Sequence, residues 1–203
     1  MIRCIVWDFD GTLVLSNDIK RDGFLALADG VPGGRAVMED ILAAPPGDRV
    51  AIAAAFASRF GGDPADLVHR YSVWCEDQIV VCPARAGAGV VLAAAREAGL
   101  RQHINSATPT EPLLAVVLRR YGAHVFDGIR GGHGAKVANL RAIVAQEGLE
   151  AQQVAMVGDG ADDRAAALEV GCRFFGVAGG TLSRQPDCGP LLSDLSDLMP
   201  MLR

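Results

Sequence analysis

Two periodicities divide this chain. Apolar residues run nearly unbroken through Ile2-Arg3-Cys4-Ile5-Val6-Trp7 and again through Val154-Ala155-Met156-Val157, as in strands buried on both faces of a parallel sheet. Shorter runs at 102–105, 125–129 and 173–177 extend the strand set. Between and after them helical spacing returns over 87–98, 109–121, 136–147 and 161–170, and Gly99, Gly122, Gly148 and Gly171 close these stretches. Alternation of this kind predicts an α/β fold, a Rossmann-like doubly wound parallel sheet. The run 191–198 is expected to add a last helix.

One stretch breaks the alternation. Segments 17–28, 35–44, 49–60 and 64–81 all show apolar residues at helical spacing, with no strand signal among them. Pro45-Pro46-Gly47 and Gly61-Gly62-Asp63-Pro64 punctuate the run, the second with Asp63 placed as an N-cap. The reading is a core built from residues 1–15 and 83–203 with a helical insertion, residues 16–82, after the first strand.

Composition narrows the class. Half of the 203 residues are hydrophobic, ample for one α/β core and a small added domain. A net charge of -5 without a basic run argues against a nucleic-acid partner. No apolar stretch is long enough for a membrane span, and the N-terminal run is too short and too soon interrupted by acids for a signal peptide. Five scattered cysteines without C-x-x-C spacing read as reduced thiols, so a cytoplasmic protein is expected. The four histidines are too far apart in sequence to suggest a metal cluster. Oligomeric state is left open.

The candidate chemistry sits at the strand exits. Asp8 and Asp10 follow the first strand, where a parallel sheet carries its ligand sites. Two residues apart in extended chain, they would face the same way and tolerate one another with a hard cation such as Mg2+ between them. Gly11 lets the chain turn away. The second long apolar run opens into Gly158-Asp159-Gly160-Ala161-Asp162-Asp163. Asp159 is placed to ligate a cation, and Asp163, one helical turn on, to hold a metal-bound water or orient another ligand. Taken alone, either acidic group fits plain helix capping equally well.

Two further pieces suit a phosphate. Ser106 and the backbone amides of its turn, Ala107 included, can donate to phosphoryl oxygens. Thr108-Pro109-Thr110-Glu111 reads as a capping box, which makes Thr108 structural. Lys136 opens a helix, a position where its charge opposes the macrodipole and so favours an anionic partner. Gly179-Gly180-Thr181 reads first as a turn, with a lining of the site as the alternative.

Together, in this order, Asp8-Phe9-Asp10-Gly11-Thr12, Ser106, Lys136 and Gly158-Asp159 with Asp163 resemble the four motifs of the haloacid dehalogenase superfamily of aspartate-nucleophile phosphohydrolases. The likeness is to its phosphoglycolate phosphatase-like members with a helical cap. That resemblance implies Asp8 as nucleophile and Asp10 as general acid and base. It also implies Mg2+ held by the Asp8 carboxylate, the Asp10 backbone carbonyl and Asp159 with Asp163 nearby, and a phosphoryl group bound by Ser106, Ala107 and Lys136. The inserted helices would be the cap, which closes over the site and selects the substrate. An acid at position 10 separates the chain from the dehalogenases, whose leaving halide needs no proton. The expected activity is a Mg2+-dependent phosphatase acting on a small phosphorylated metabolite such as a sugar phosphate, phosphoglycolate or a nucleoside monophosphate. A phosphotransferase or phosphomutase resembling β-phosphoglucomutase, and a noncatalytic binding protein on the same fold, are the alternatives.

Overall fold

The computed structural model describes residues 1–202. Five strands, β1 (Cys4–Trp7), β2 (Arg101–Ser106), β3 (Gly128–Gly131), β4 (Val154–Gly158) and β5 (Arg173–Gly176), form one sheet in the order β3-β2-β1-β4-β5. Every pairing is parallel, with Trp7 opposite Ile104 on one side and Val157 on the other. The chain proceeds outward from β1 to β2 and β3, then returns to β1's other flank for β4 and β5. The crevice at such a reversal lies beyond the carboxyl ends of β1 and β4.

The residues behave as the apolar pattern requires. All four side chains of β1 are buried, and they alternate between the faces of the sheet. Cys4 and Val6 join Val154 and Met156 in a cluster with Leu140, Ile143, Ala166 and Ala167. On the opposite face the Trp7 indole donates to Gln102 Oε1, and Gln102 passes a hydrogen bond to the Leu92 carbonyl. A fully buried amide is thereby satisfied, which removes a desolvation cost of roughly 1–3 kcal/mol.

The insertion, Ser16–Val81, is a separate compact unit. It holds four helices: α1 (Asn17–Ala28), α2 (Gly34–Ala43), α3 (Arg49–Phe60) and α4 (Pro64–Val81). Asp48 caps α3 by accepting from the Val50 and Ala51 amides, and Phe24 of α1 stacks on Tyr71 of α4 with centroids 4.0 Å apart. Three of its arginines are engaged within the unit. Arg35 pairs with Asp29 and Glu39, Arg70 with Asp66, and Arg49 lies over the Tyr71 ring.

The remaining helices belong to the core unit: α5 (Ala88–Glu97), α6 (Thr110–Tyr121), α7 (Lys136–Glu147), α8 (Ala161–Val170) and the short α9 (Leu198–Met201). Two expectations are corrected. The strand expected over 125–129 lies at Gly128–Gly131 instead, because Phe126 packs edge-on against Tyr121 and Asp127 caps the start of β2 by accepting from the Gln102 amide. The expected helix over 191–198 is absent. Leu192 pairs with the chain after β5 through Gly176 and Ala178, and Asp194 accepts from the Ser196 amide to set a turn. A single 3-10 turn forms at Leu195–Asp197, and α-helix begins only at Leu198.

Candidate active site

Asp8 leaves β1 with its amide bonded to the Val157 carbonyl, so the sheet ladder extends to the residue itself. Gly11, at φ 79°, then turns the chain through a tight loop in which the Leu13 and Val14 amides return to the Phe9 carbonyl. Asp159 leaves β4 in the matching position. Thr12 ties the two exits together: its hydroxyl accepts from the Asp159 amide at 3.1 Å and stands 3.3 Å from both Asp8 Oδ2 and Asp159 Oδ1. One hydroxyl proton is shared between two buried carboxylates.

Asp163 lies on the first turn of α8. It is fully buried, accepts from the Gly160 amide at 2.9 Å, and is hydrogen-bonded to Lys136 Nζ. Lys136, the first residue of α7, also places its ammonium 3.0 Å from Asp8 Oδ1 and 3.3 Å from Asp162 Oδ2. The helix start is fixed from beneath. Asn105, buried in β2, donates to the Lys136 backbone carbonyl at 2.9 Å and accepts from Asn139.

Carboxylate oxygens of Asp8, Asp159 and Asp163 all lie within 4.8 Å of one another, and all three residues are buried. Against them stands one buried ammonium, so the pocket carries excess negative charge in a poorly solvated place. Burial pushes the Asp8 carboxyl up to about 6, with Asp159 and Asp10 adding to the rise and Lys136 opposing it. Asp163 is pushed up well above the usual carboxylate range by burial and by Asp8. For Lys136 burial acts downward, but the surrounding acids Asp8, Asp163 and Asp162 outweigh it and hold the ammonium charged. An all-oxygen donor set with surplus negative charge suits a hard divalent cation.

The Asp10 carboxylate faces a different group. Its Oδ2 accepts from Thr108 Oγ1 at 2.8 Å and from Ser106 Oγ at 3.4 Å. Ser106 ends β2 and is buried, while Ala107 is exposed at the turn that follows. Hydrogen bonds thus join Asp8, Asp159, Lys136 and Asp163, another joins Ser106 to Asp10, and the Asp10 charge acts on Asp8, so the six residues form one cluster at the carboxyl edge of the sheet.

Some of what surrounds the cluster departs from the sequence reading. Thr108 does not cap α6: that helix begins at Thr110, with Pro109 before it and no side-chain cap. The hydroxyl goes to Asp10 instead. Gly180 is more than a turn, since a Cβ there would collide with Asp159 Oδ2, and the Leu182 amide donates to the Asp159 carbonyl. Arg85 carried no local signal. Its guanidinium donates to the carbonyls of Gly11 and Thr12, bracing the loop that follows Asp10.

A sequence profile of the haloacid dehalogenase-like hydrolases matches residues 2–171. Among curated proteins no significant match is found. The fold is shared with many solved structures. A variant of CbbY from Rhodobacter sphaeroides, solved with xylulose-1,5-bisphosphate, is 18% identical with a TM-score of 0.77, over 98% of this chain and 97% of that one. A predicted phosphoglycolate phosphatase from Haemophilus somnus 129PT is 18% identical with a TM-score of 0.75, over 100% of this chain and 98% of that one. A Thermotoga maritima protein predicted to be a β-phosphoglucomutase is 13% identical with a TM-score of 0.77, over 99% and 98%. At these identities the likeness speaks for the fold. The motif residues, their convergence at one sheet edge and the profile match over most of the length agree: this chain belongs to the haloacid dehalogenase-like hydrolase family.

Proposed function

We propose that the protein is a Mg2+-dependent phosphatase that hydrolyses a small phosphorylated metabolite through a phosphoryl group carried on Asp8. The observation that carries this reading is the Lys136 ammonium held between Asp8 and Asp163 at the edge where Asp159 also emerges. A buried lysine among acids keeps its charge, and a carboxylate beside it can approach an anionic ester with less repulsion.

Asp8 attacks phosphorus, and the ester oxygen leaves with the proton that Asp10 supplies. Asp10 then takes a proton from the water that attacks the phosphoryl group on Asp8. Lys136, the Ser106 hydroxyl and the Ala107 amide bind the phosphoryl oxygens. Asp8 and Asp159, with the Asp10 backbone carbonyl, would hold Mg2+, and Asp163 would steer Lys136 and the cation's remaining ligands. When bound, the metal offsets the charge of the phosphoryl oxygens and fixes their direction. None of the five cysteines forms a disulfide among the described residues, and burial pushes the Cys4 thiol up to about 12 and that of Cys172 up to about 11. Among the described residues no helix is long and apolar enough to cross a membrane.

The test is a panel of phosphorylated metabolites incubated with the purified protein and Mg2+. Release of inorganic phosphate without an added acceptor is expected, and its loss in EDTA. Conversion of a sugar phosphate into its isomer without release of inorganic phosphate would favour a phosphomutase instead. No turnover of any ester would reject both.

A further inference from the structure

We infer that Thr108 is a positioning residue for Asp10, holding its carboxyl group in the direction from which it serves the leaving group. The inference rests on the phosphatase reading above and deepens it. Two hydroxyls converge on one oxygen: Thr108 Oγ1 is 2.8 Å from Asp10 Oδ2, and Ser106 Oγ is 3.4 Å from the same atom. The shorter and stronger of the two comes from Thr108. Two hydroxyls that meet the same oxygen fix the direction in which the Asp10 carboxyl group points. The carboxyl group is also kept from turning about its Cβ–Cγ bond.

Thr108 is itself held in place. Its amide donates to Ser106 Oγ at 3.1 Å. Next to it, the Thr110 hydroxyl bonds both the amide and the carbonyl of Gly131, at 3.1 and 3.2 Å, and the Gly132 amide donates to the Ser106 carbonyl. The turn after β2 is thus stitched to the end of β3, and Thr108 reaches Asp10 from a braced backbone. Ser106 cannot serve in its place during the reaction, because its hydroxyl is needed by the phosphoryl group. Once Ser106 turns to the substrate, Thr108 is the hydroxyl that continues to orient Asp10. As the bond from Asp8 to phosphorus forms and the ester P–O bond breaks, the Asp10 proton passes to the departing alkoxide oxygen. Asp10 is left as the carboxylate that Thr108 stabilises.

An isosteric change removes the hydroxyl and little else. The experiment measures kcat/KM with Mg2+ for an alkyl phosphate, whose leaving oxygen needs a proton, and for p-nitrophenyl phosphate, whose leaving oxygen does not. This constant reports the steps through alcohol release and leaves out the later hydrolysis. Thr108→Val should lower the alkyl-to-aryl ratio about tenfold, in the direction of Asp10→Ala though by less, and Thr108→Ser should restore it to within about threefold of wild type. A structural or substrate-binding role would lower both constants together and leave the ratio unchanged, which overturns the inference. If the wild type turns over both esters and Asp10→Ala shifts the ratio while Thr108→Val does not, the inference fails alone. If the wild type turns over neither, the phosphatase reading fails with it.

Discussion

Lys136 Nζ lies 3.0 Å from Asp8 Oδ1, although 128 residues separate them in sequence. The pair joins the first residue of α7 to the residue following β1, inside a pocket where Asp163 is also buried against the ammonium. Each member depends on the others, because one cation offsets acids that could not otherwise share so dry a place.

Lys136→Ala should therefore damage both stability and chemistry. Removing one partner of a buried ion pair leaves uncompensated charge, at a cost of about 3–5 kcal/mol, moderated here because Asp8 and Asp163 can take up protons. Denaturant melts in EDTA should show the loss, and added Mg2+ should recover part of it. An unchanged midpoint would contradict the ion-pair role.

Metal binding should be visible without turnover. With Mg2+ at about one hundred times its dissociation constant, the folded state should gain about 2.7 kcal/mol. Thermal shift assays should record a rising midpoint for the wild type and little change for Asp159→Asn. Equal shifts in the two proteins would place the cation elsewhere.

The raised Asp8 carboxyl makes a signed prediction about pH. Its folded value is about 6 against an ordinary 3.8, so the folded state binds a proton more readily than the unfolded chain. Stability linked to this group is fully present below about 3.8 and is lost as pH rises through about 6. In EDTA, Asp8→Asn should accordingly be more stable than wild type at pH 7 to 8, and the advantage should vanish toward pH 4. Melting both proteins across that range checks it, and a wild type that is the more stable at pH 8 in EDTA would contradict the sign.

What could be read from the sequence followed from how far each signal reaches along the chain. Unbroken apolar runs placed β1 and β4, and α7 begins at Lys136 and ends at Glu147 as helical spacing and Gly148 predict. The four acids at the strand exits were legible because a parallel sheet fixes where its ligands go. Thr108 was misassigned because its capping pattern is local while its partner Asp10 lies 98 residues away. Arg85 had no pattern at all, since its acceptors are backbone carbonyls 73 and 74 residues distant. The run 191–198 has helical-looking leucines, yet Leu192 finds its hydrogen bonds at Gly176 and Ala178. Tertiary pairing outweighs propensity in so short a segment.

The most direct test is whether Asp8 carries a phosphoryl group during turnover. Enzyme mixed with Mg2+ and a phosphate ester that it hydrolyses is quenched rapidly in acid, digested and analysed by mass spectrometry. One phosphoryl group is expected on the peptide containing Asp8, removable by hydroxylamine and absent from Asp8→Asn, which should also have no phosphatase activity. An unmodified Asp8 peptide together with near-normal turnover by Asp8→Asn would contradict the account.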